Sequence, residues 1–119
     1  KLVRCGWGRL LDVAVDIRTG SPTYGQWVSQ VLSFENGKQM LVPAGFLHGF
    51  VTLEAHTEVV YKCTDFYSPE CDGSIRFDDP DIGVDWTIDL SDAEISQKDL
   101  HAPLFADFQS PFSFTDAAR

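Results

Sequence analysis

The chain has 119 residues, 44% of them hydrophobic and 23% charged, a composition typical of a single folded globular domain over residues 1–119. Its 18 acidic and 9 basic side chains give a formal net charge of −9, which argues against nucleic acid and anionic membranes as partners. No apolar run approaches the ~18 residues of a membrane-spanning helix, so we expect no membrane segment.

The cysteines bear on the compartment in which the protein folds. Cys5, Cys63 and Cys71 are odd in number and have no Cys-x-x-Cys spacing. Disulfide frameworks and zinc sites use paired cysteines. We therefore expect reduced thiols and a cytoplasmic protein.

The first predicted strands cover residues 1–5 and 8–17. The second of them places apolar side chains on one face and Asp12 and Asp16 on the other. This alternation suits a barrel with a polar lumen, but an open sheet with both aspartates in water would show the same pattern. The pattern alone leaves both architectures open.

A predicted hairpin and a strand that carries a histidine follow. Residues 26–34 and 39–42 have strand composition, and Asn36-Gly37 between them is typical of a hairpin turn because both residues tolerate positive φ. In residues 42–53, His48 is the only ionisable side chain, and it shares a face with two phenylalanines. Such a histidine is either a hydrogen-bonded core residue or part of a site.

The later part of the chain has one more predicted strand and a short helix. Residues 57–64 alternate as a strand, and residues 74–77 are short and extended. Ser91, with an acidic residue three positions later, is a candidate N-cap for a two-turn helix over residues 92–100. Short strands about every ten residues predict an all-β sandwich or barrel.

The histidines argue against a metal site. Metal-binding barrels of the cupin type use a His-x-His pair with a downstream glutamate, whereas this chain has only the separated His48, His56 and His101. We expect no metal and no other cofactor.

Proton transfer is the chemistry that the remaining side chains suit. His48, Tyr61, Asp12 and Lys1 all fall on or near predicted strands that could face one lumen. An ammonium group stabilises an enolate, and a phenol can give or take the proton beside a carbonyl. Asp12 would orient His48 through its second ring nitrogen.

Several blocks of the sequence occur together in a recognisable order and spacing. They are Lys1-Leu2-Val3-Arg4, Asp12–Arg18, Gly20–Thr23, Gly25–Trp27, Val42–Phe50, Tyr61-Lys62 and Phe77–Pro80. With these blocks the chain resembles the dTDP-4-dehydrorhamnose 3,5-epimerase family from Lys1 to about Asp107.

The resemblance implies a metal-free, cupin-type jelly-roll barrel with a short C-terminal helix that forms a homodimer and acts on a dTDP-4-keto-6-deoxyhexose. Members of the family invert C3, C5 or both. Both carbons are α to the C4 ketone, so each inversion is a proton abstraction, an enolate, and reprotonation from the opposite face.

The family roles carry over by position. The implied catalytic residues are Tyr61 as proton donor, His48 with Asp12 paired to it, and Asp99 as partner of the general-base histidine. The implied substrate contacts are Lys1 beside the keto oxygen, His48, Tyr67 near the nucleotide, Asp72 where the family often has a glutamate, and Lys98.

One element of the family pattern is missing from the sequence. The general base lies in an Arg-Gly-Leu-His block shortly before the position of Lys1, and these 119 residues contain no such block. We therefore expect the chain to be N-terminally truncated relative to the family, and the 119-residue polypeptide alone to be inactive or severely impaired.

Two other functions remain open at this point. A barrel without the base would suit non-catalytic binding of a sugar nucleotide or carbohydrate. A metal-dependent cupin enzyme is the third possibility, and it would contain a stoichiometric metal.

Overall fold

The computed structural model describes residues 1–63 and 73–114, and its strands form two three-stranded antiparallel sheets. The strands are β1 Leu2–Trp7, β2 Arg9–Asp16, β3 Trp27–Ser33, β4 Gln39–Leu41, β5 Phe46–Thr52 and β6 Glu58–Lys62. One sheet has the order β4-β1-β6 and the other the order β3-β2-β5. The all-β class predicted from the sequence is confirmed.

The first core cluster joins the two sheets. Val3 and Cys5 of β1 pack with Leu10 of β2 and Leu32 of β3, and each of the four is 5% exposed or less. Because alternate residues of a strand point to the same face, β1 contributes every second side chain to this interior. Burial of each such leucine stabilises the fold by about 1.5–3 kcal/mol.

The acidic face of β2 also points into the molecule. Asp12 is 0% exposed and Asp16 is 2% exposed, because β2 is the central strand of its sheet and is paired on both sides. Of the two alternatives that the sequence left open, the polar interior is the one that forms, and the open sheet with both aspartates in water is wrong.

The apolar face of β2 is covered by the later part of the chain. Its side chains form a second buried cluster, to which residues 75–108 contribute partly buried apolar side chains. The predicted extended segment 74–77 lies in this covering layer and adds no strand to either sheet. Irregular chain therefore closes one face of the β3-β2-β5 sheet.

The turn at Asn36-Gly37 forms, but the hairpin predicted around it is wrong. Gly37 has a φ of 63°, and the Asn36 side-chain oxygen accepts a hydrogen bond from the Ser33 amide at 3.0 Å. However, β3 pairs with β2 while β4 pairs with β1. The chain changes sheet at this turn, because both strands find longer-range partners.

The helix predicted near the C-terminus is reduced to a single turn. The helix α1 spans Gln97–Leu100, and the Ser96 side chain caps it by accepting a hydrogen bond from the Asp99 amide at 3.2 Å. A 3-10 turn follows at Phe105–Asp107. None of the helices in the described ranges is long and apolar enough to span a bilayer.

The predicted N-cap at Ser91 is wrong. Ser91 lies inside a separate 3-10 turn, Leu90–Asp92, and its hydroxyl donates to the Asp89 carboxylate at 2.7 Å. Asp89 is the cap of this turn, and Ala93 leaves it with extended dihedral angles. The two-turn helix therefore cannot start at residue 92.

Candidate active site

A cavity of about 860 Å³ opens along β5, within the size range of small-molecule sites. Since β5 is an edge strand, residues from both of its faces border the cavity. Lys1, His48 and Asp99 all line it, although they come from the start of the chain, from β5 and from α1. The fold thus brings together three of the residues singled out in the sequence.

His48 is held at the cavity by a buried carboxylate. The pairing of β2 with β5 sets Asp12 opposite Phe50 and Ala14 opposite His48, so Asp12 and His48 lie on one face in diagonal positions. The imidazole Nε2 bonds the Asp12 Oδ1, as the sequence suggested. The Asp12 side chain is 0% exposed and that of His48 is 12% exposed, so Nδ1 is the nitrogen left for a ligand.

The second oxygen of Asp12 is unusual for a buried group. Its Oδ2 has no hydrogen-bond partner within residues 1–63 and 73–114. Buried polar atoms normally have a partner, and an unpaired one costs about 1–3 kcal/mol.

Lys1, which lines the cavity, lies next to Tyr61, which is not part of the lining. The Lys1 Nζ lies 5.2 Å from the centroid of the Tyr61 ring. Tyr61 is paired with the fully buried Val3 and so faces the same side of its sheet, but its side chain is open to solvent at 58% exposure. An ammonium group at the cavity is thus adjacent to a solvent-exposed phenol outside the lining.

Three other site residues were predicted from the sequence, and the structure places one of them, Lys98, outside the cavity lining. Lys98 precedes Asp99 on α1 and is not part of the lining. Tyr67 and Asp72 lie outside the described residues. The catalytic and binding roles assigned from the sequence stay predictions.

Asp16 anchors the loop that leads out of β2. Its carboxylate accepts from Arg18 Nε at 3.0 Å and Nη2 at 2.9 Å, from Ser21 Oγ at 2.6 Å and from Thr23 Oγ1 at 2.5 Å. Burial alone would raise the pKa of Asp16, but these hydrogen bonds outweigh it and hold the pKa well below its ordinary value. The group is therefore a carboxylate at neutral pH.

Arg18 connects the anchored loop to the start of β5. Its guanidinium lies between two rings, 4.8 Å from the centroid of Phe46 and 5.0 Å from that of Phe114, and Phe46 lines the cavity. Gly45 has a φ of 91°, and a Cβ at this position would lie 2.6 Å from the Arg18 Cγ. Only glycine fits there, so Arg18 and Gly45 together fix the path of the chain towards His48.

The cavity also contains residues that the sequence did not single out as site residues. Trp86 donates its indole N–H to the Phe77 carbonyl at 2.9 Å and packs over Gly49, where a Cβ would be 3.2 Å from the ring. The lining also includes Cys63, Arg76, Glu94 and Ser96. The Ser-x-x-Asp spacing of Ser96 was a detectable capping signal.

The described ranges contain no group of three or more His, Cys, Asp or Glu side chains that could hold a metal ion. The metal-free site stays a prediction. A second, smaller cavity of about 260 Å³ is lined by Trp7, Gly8, Arg9, Ser33, Phe34, Glu35 and Glu54 and contains none of the predicted site residues.

Comparison with known proteins settles the family. The family model for dTDP-4-dehydrorhamnose 3,5-epimerase matches residues 1–107. The chain belongs to this family. A dTDP-4-dehydrorhamnose 3,5-epimerase of Sinorhizobium fredii is 51% identical over 114 residues, which are 96% of this chain and 58% of the relative. One of Salmonella typhimurium is 53% identical over 87% of this chain and 56% of its own length.

Solved structures of the family share the fold. The enzyme from Elizabethkingia anophelis superposes with a TM-score of 0.85 at 48% identity, covering 89% of this chain and 58% of the other. That from Legionella pneumophila, in complex with dTDP-4-keto-L-rhamnose, gives a TM-score of 0.87 at 46% identity, covering 91% and 57%. The cupin-type jelly roll is thereby confirmed, and the chain spans little more than half of these relatives.

Proposed function

We propose that this chain forms the greater part of the active site of an epimerase that inverts C3, C5 or both in a dTDP-4-keto-6-deoxyhexose. The observation that carries the proposal is the convergence of Lys1, His48 and Asp99 on one cavity, with Asp12 buried behind His48. Membership of the family and the dTDP-4-keto-L-rhamnose bound to the Legionella pneumophila relative support the substrate class.

The chemistry assigns a role to each group. Removal of a proton α to the C4 ketone leaves an enolate, and the Lys1 ammonium beside its oxygen would contribute about 4 kcal/mol at 4 Å and an effective dielectric constant of ~20. His48, oriented by Asp12, hydrogen-bonds the sugar through Nδ1. Tyr61 donates a proton to the carbon that is inverted.

The abstracting base is assigned by resemblance to a histidine in an Arg-Gly-Leu-His block, which these 119 residues do not contain. Asp99 would accept a hydrogen bond from that imidazole and hold its tautomer, as carboxylates do for general-base histidines. The same resemblance gives Lys98, Tyr67 and Asp72 contacts to the substrate.

Assembly and location complete the proposal. We propose a homodimer, which is supported by the exposed leucines Leu2 and Leu41, neighbours in register on one sheet at 36% and 69% exposure. A cytoplasmic location is supported by the free thiols of Cys5 and Cys63. Equilibrium sedimentation tests the dimer.

Solvent-deuterium incorporation tests the reaction. The natural protein that contains this chain is incubated in D₂O with dTDP-4-keto-6-deoxyglucose, and deuterium at C3 and C5 is followed by NMR. His48→Asn should slow incorporation about 100-fold. His56→Asn is the matched control, because His56 is exposed, has a φ of 60° that asparagine tolerates, and does not line the cavity.

The outcomes separate the candidate functions. Deuterium incorporation that is slowed by His48→Asn but not by His56→Asn supports the epimerase. Tight binding of dTDP without any incorporation would instead favour a non-catalytic sugar-nucleotide-binding protein. A stoichiometric metal required for turnover would contradict the metal-free mechanism.

A further inference from the structure

The helix that carries Asp99 is too short to be stable by itself. It has only four residues, Gln97–Leu100, whereas isolated helices shorter than ~12 residues are marginal in water. Its position against the cavity must therefore come from contacts with the rest of the chain. The Ser96 cap satisfies a donor at its N-terminal end but connects the helix only to itself.

Arg76 supplies the contact at the other end. Its Nη1 donates to the Leu100 carbonyl at 2.6 Å, and its backbone amide donates to the Pro103 carbonyl at 2.8 Å. The last carbonyls of a helix have no partner within it, and a cation there is also favoured by the helix dipole. One residue thus bonds the last residue of α1 and a second point three residues beyond it.

Arg76 is itself fixed on the cavity side. Its Nε donates to the Asp78 carboxylate at 2.5 Å, its guanidinium carbon lies 5.6 Å from the centroid of the Phe77 ring, and its side chain is 34% exposed. It lines the same cavity as Asp99. The guanidinium, with donors in a rigid planar fork, can bridge Asp78 and the Leu100 carbonyl at the same time.

We propose that Arg76 is a positioning residue that fixes α1, and with it Asp99, at the cavity. The inference rests on the proposed function for its catalytic consequence, but the tether itself does not depend on that function. A partly exposed ion pair with Asp78 alone would contribute little to stability and would leave α1 unaffected when removed. The side-chain bond to the Leu100 carbonyl is what distinguishes Arg76 from such a surface pair, since the bond to Pro103 comes from the backbone amide and is kept in any Arg76 variant except proline.

Two variants and one control test the tether. Arg76→Met keeps most of the aliphatic stem and removes the side-chain donors to Asp78 and to the Leu100 carbonyl. Arg76→Lys keeps a cation that can reach one acceptor only. Arg9→Met is the matched control, because it also removes an arginine from a partly exposed ion pair, with Glu54, but lies outside the cavity.

Amide hydrogen exchange of the natural protein that contains this chain is the first readout. The amides of Leu100 and His101 bond to the carbonyls of Ser96 and Gln97 and report directly on α1. We expect them to exchange at least ~10-fold faster in Arg76→Met, an intermediate effect in Arg76→Lys, and no change in Arg9→Met. The β2 amides should stay protected in all three, which shows that the fold is intact. Unchanged exchange at residues 100 and 101 would overturn the tether.

Turnover by the natural protein is the second readout. A misplacement of about 1 Å in a catalytic group lowers rates by up to ~100-fold, so kcat for deuterium incorporation should fall 10- to 100-fold in Arg76→Met, with a smaller change in KM. Faster amide exchange together with an unchanged kcat would contradict the positioning role. Absence of turnover in the parent protein would refute the epimerase, while amide exchange would still decide the tether.

Discussion

Asp16→Asn is a stringent test of how the loop after β2 is anchored. The Asp16 side chain is 3% exposed, and its Oδ2 alone accepts hydrogen bonds from Arg18 Nη2, Ser21 Oγ and Thr23 Oγ1. Asparagine has nearly the same shape but no charge, and its amide nitrogen can accept none of these bonds. Both oxygens of Asp16 accept hydrogen bonds from Arg18. In either orientation of the asparagine amide, its NH₂ group therefore replaces one of these acceptors and faces an N–H group of Arg18.

The magnitude follows from the hydrogen bonds of a partly buried ion pair, in which the Asp16 side chain is 3% exposed and that of Arg18 is 29% exposed. A hydrogen bond to a charged group contributes about 1.5–3 kcal/mol. The Ser21 and Thr23 hydroxyls can rotate to new acceptors, whereas the Arg18 guanidinium cannot. We therefore expect Asp16→Asn to lower the free energy of unfolding at pH 7 by about 3 kcal/mol.

The effect should depend on pH with a definite sign. The pKa of Asp16 is lower in the folded than in the unfolded chain, so the carboxylate stabilises the fold above the ordinary pKa of 3.8. That stabilisation is lost as the pH falls below this value towards the folded pKa. The difference between the parent chain and Asp16→Asn should be constant from pH 7 to about 5 and shrink at pH 4 and below.

Urea denaturation at pH 7, 5, 4 and 3 measures this difference. Asp89→Asn is the control, since Asp89 also has a lowered pKa, through its bonds with Ser91, but is exposed, and asparagine is an equally good cap. A loss below 1 kcal/mol, or an equal loss at every pH, would refute the anchoring described for Asp16.

Two further substitutions test the close contact at Gly45 before β5 and the role of the Tyr61 phenol as proton donor. Gly45→Ala should destabilise the fold by about 2 kcal/mol more than Gly20→Ala, because both positions have positive φ but only Gly45 has Arg18 within 4 Å of the added Cβ. Equal losses in urea denaturation would argue against the contact. Tyr61→Phe removes only a hydroxyl and should lower kcat for epimerisation about 100-fold with dTDP affinity unchanged, and an unchanged kcat would exclude Tyr61 as proton donor.

Short-range sequence patterns were sufficient to predict several strands and the side chains that share each face. The alternation along β2 was sufficient to separate the face of Asp12 from the apolar face, because the side-chain period of a strand is two whatever the partner. The same argument placed His48 with the phenylalanines of β5, and its ring lies 6.1 Å from that of Phe50. The family could be predicted because each of its sequence blocks is an uninterrupted run of residues that can be recognised without knowing the fold.

Pairing partners could not be predicted in the same way. Asn36-Gly37 encodes a turn through its own tolerance of positive φ, but whether the flanking strands pair with each other depends on what else competes for their edges. Ser91 does not cap a helix for a related reason, since its hydroxyl donates a hydrogen bond to the nearby Asp89 carboxylate.

The sequence by itself determined an all-β chain with acidic residues on one face of β2, a histidine in β5 and the residues of one enzyme family. Only the tertiary structure decided that the predicted pair Asp12 and His48 lies in diagonal positions on one sheet face, that Lys1 and Asp99 reach the same cavity, and that the Arg76 side chain bonds the last carbonyl of α1. The first set depends on backbone periodicity and on neighbours in the chain. The second depends on strand register and on contacts between distant segments, which no local pattern specifies.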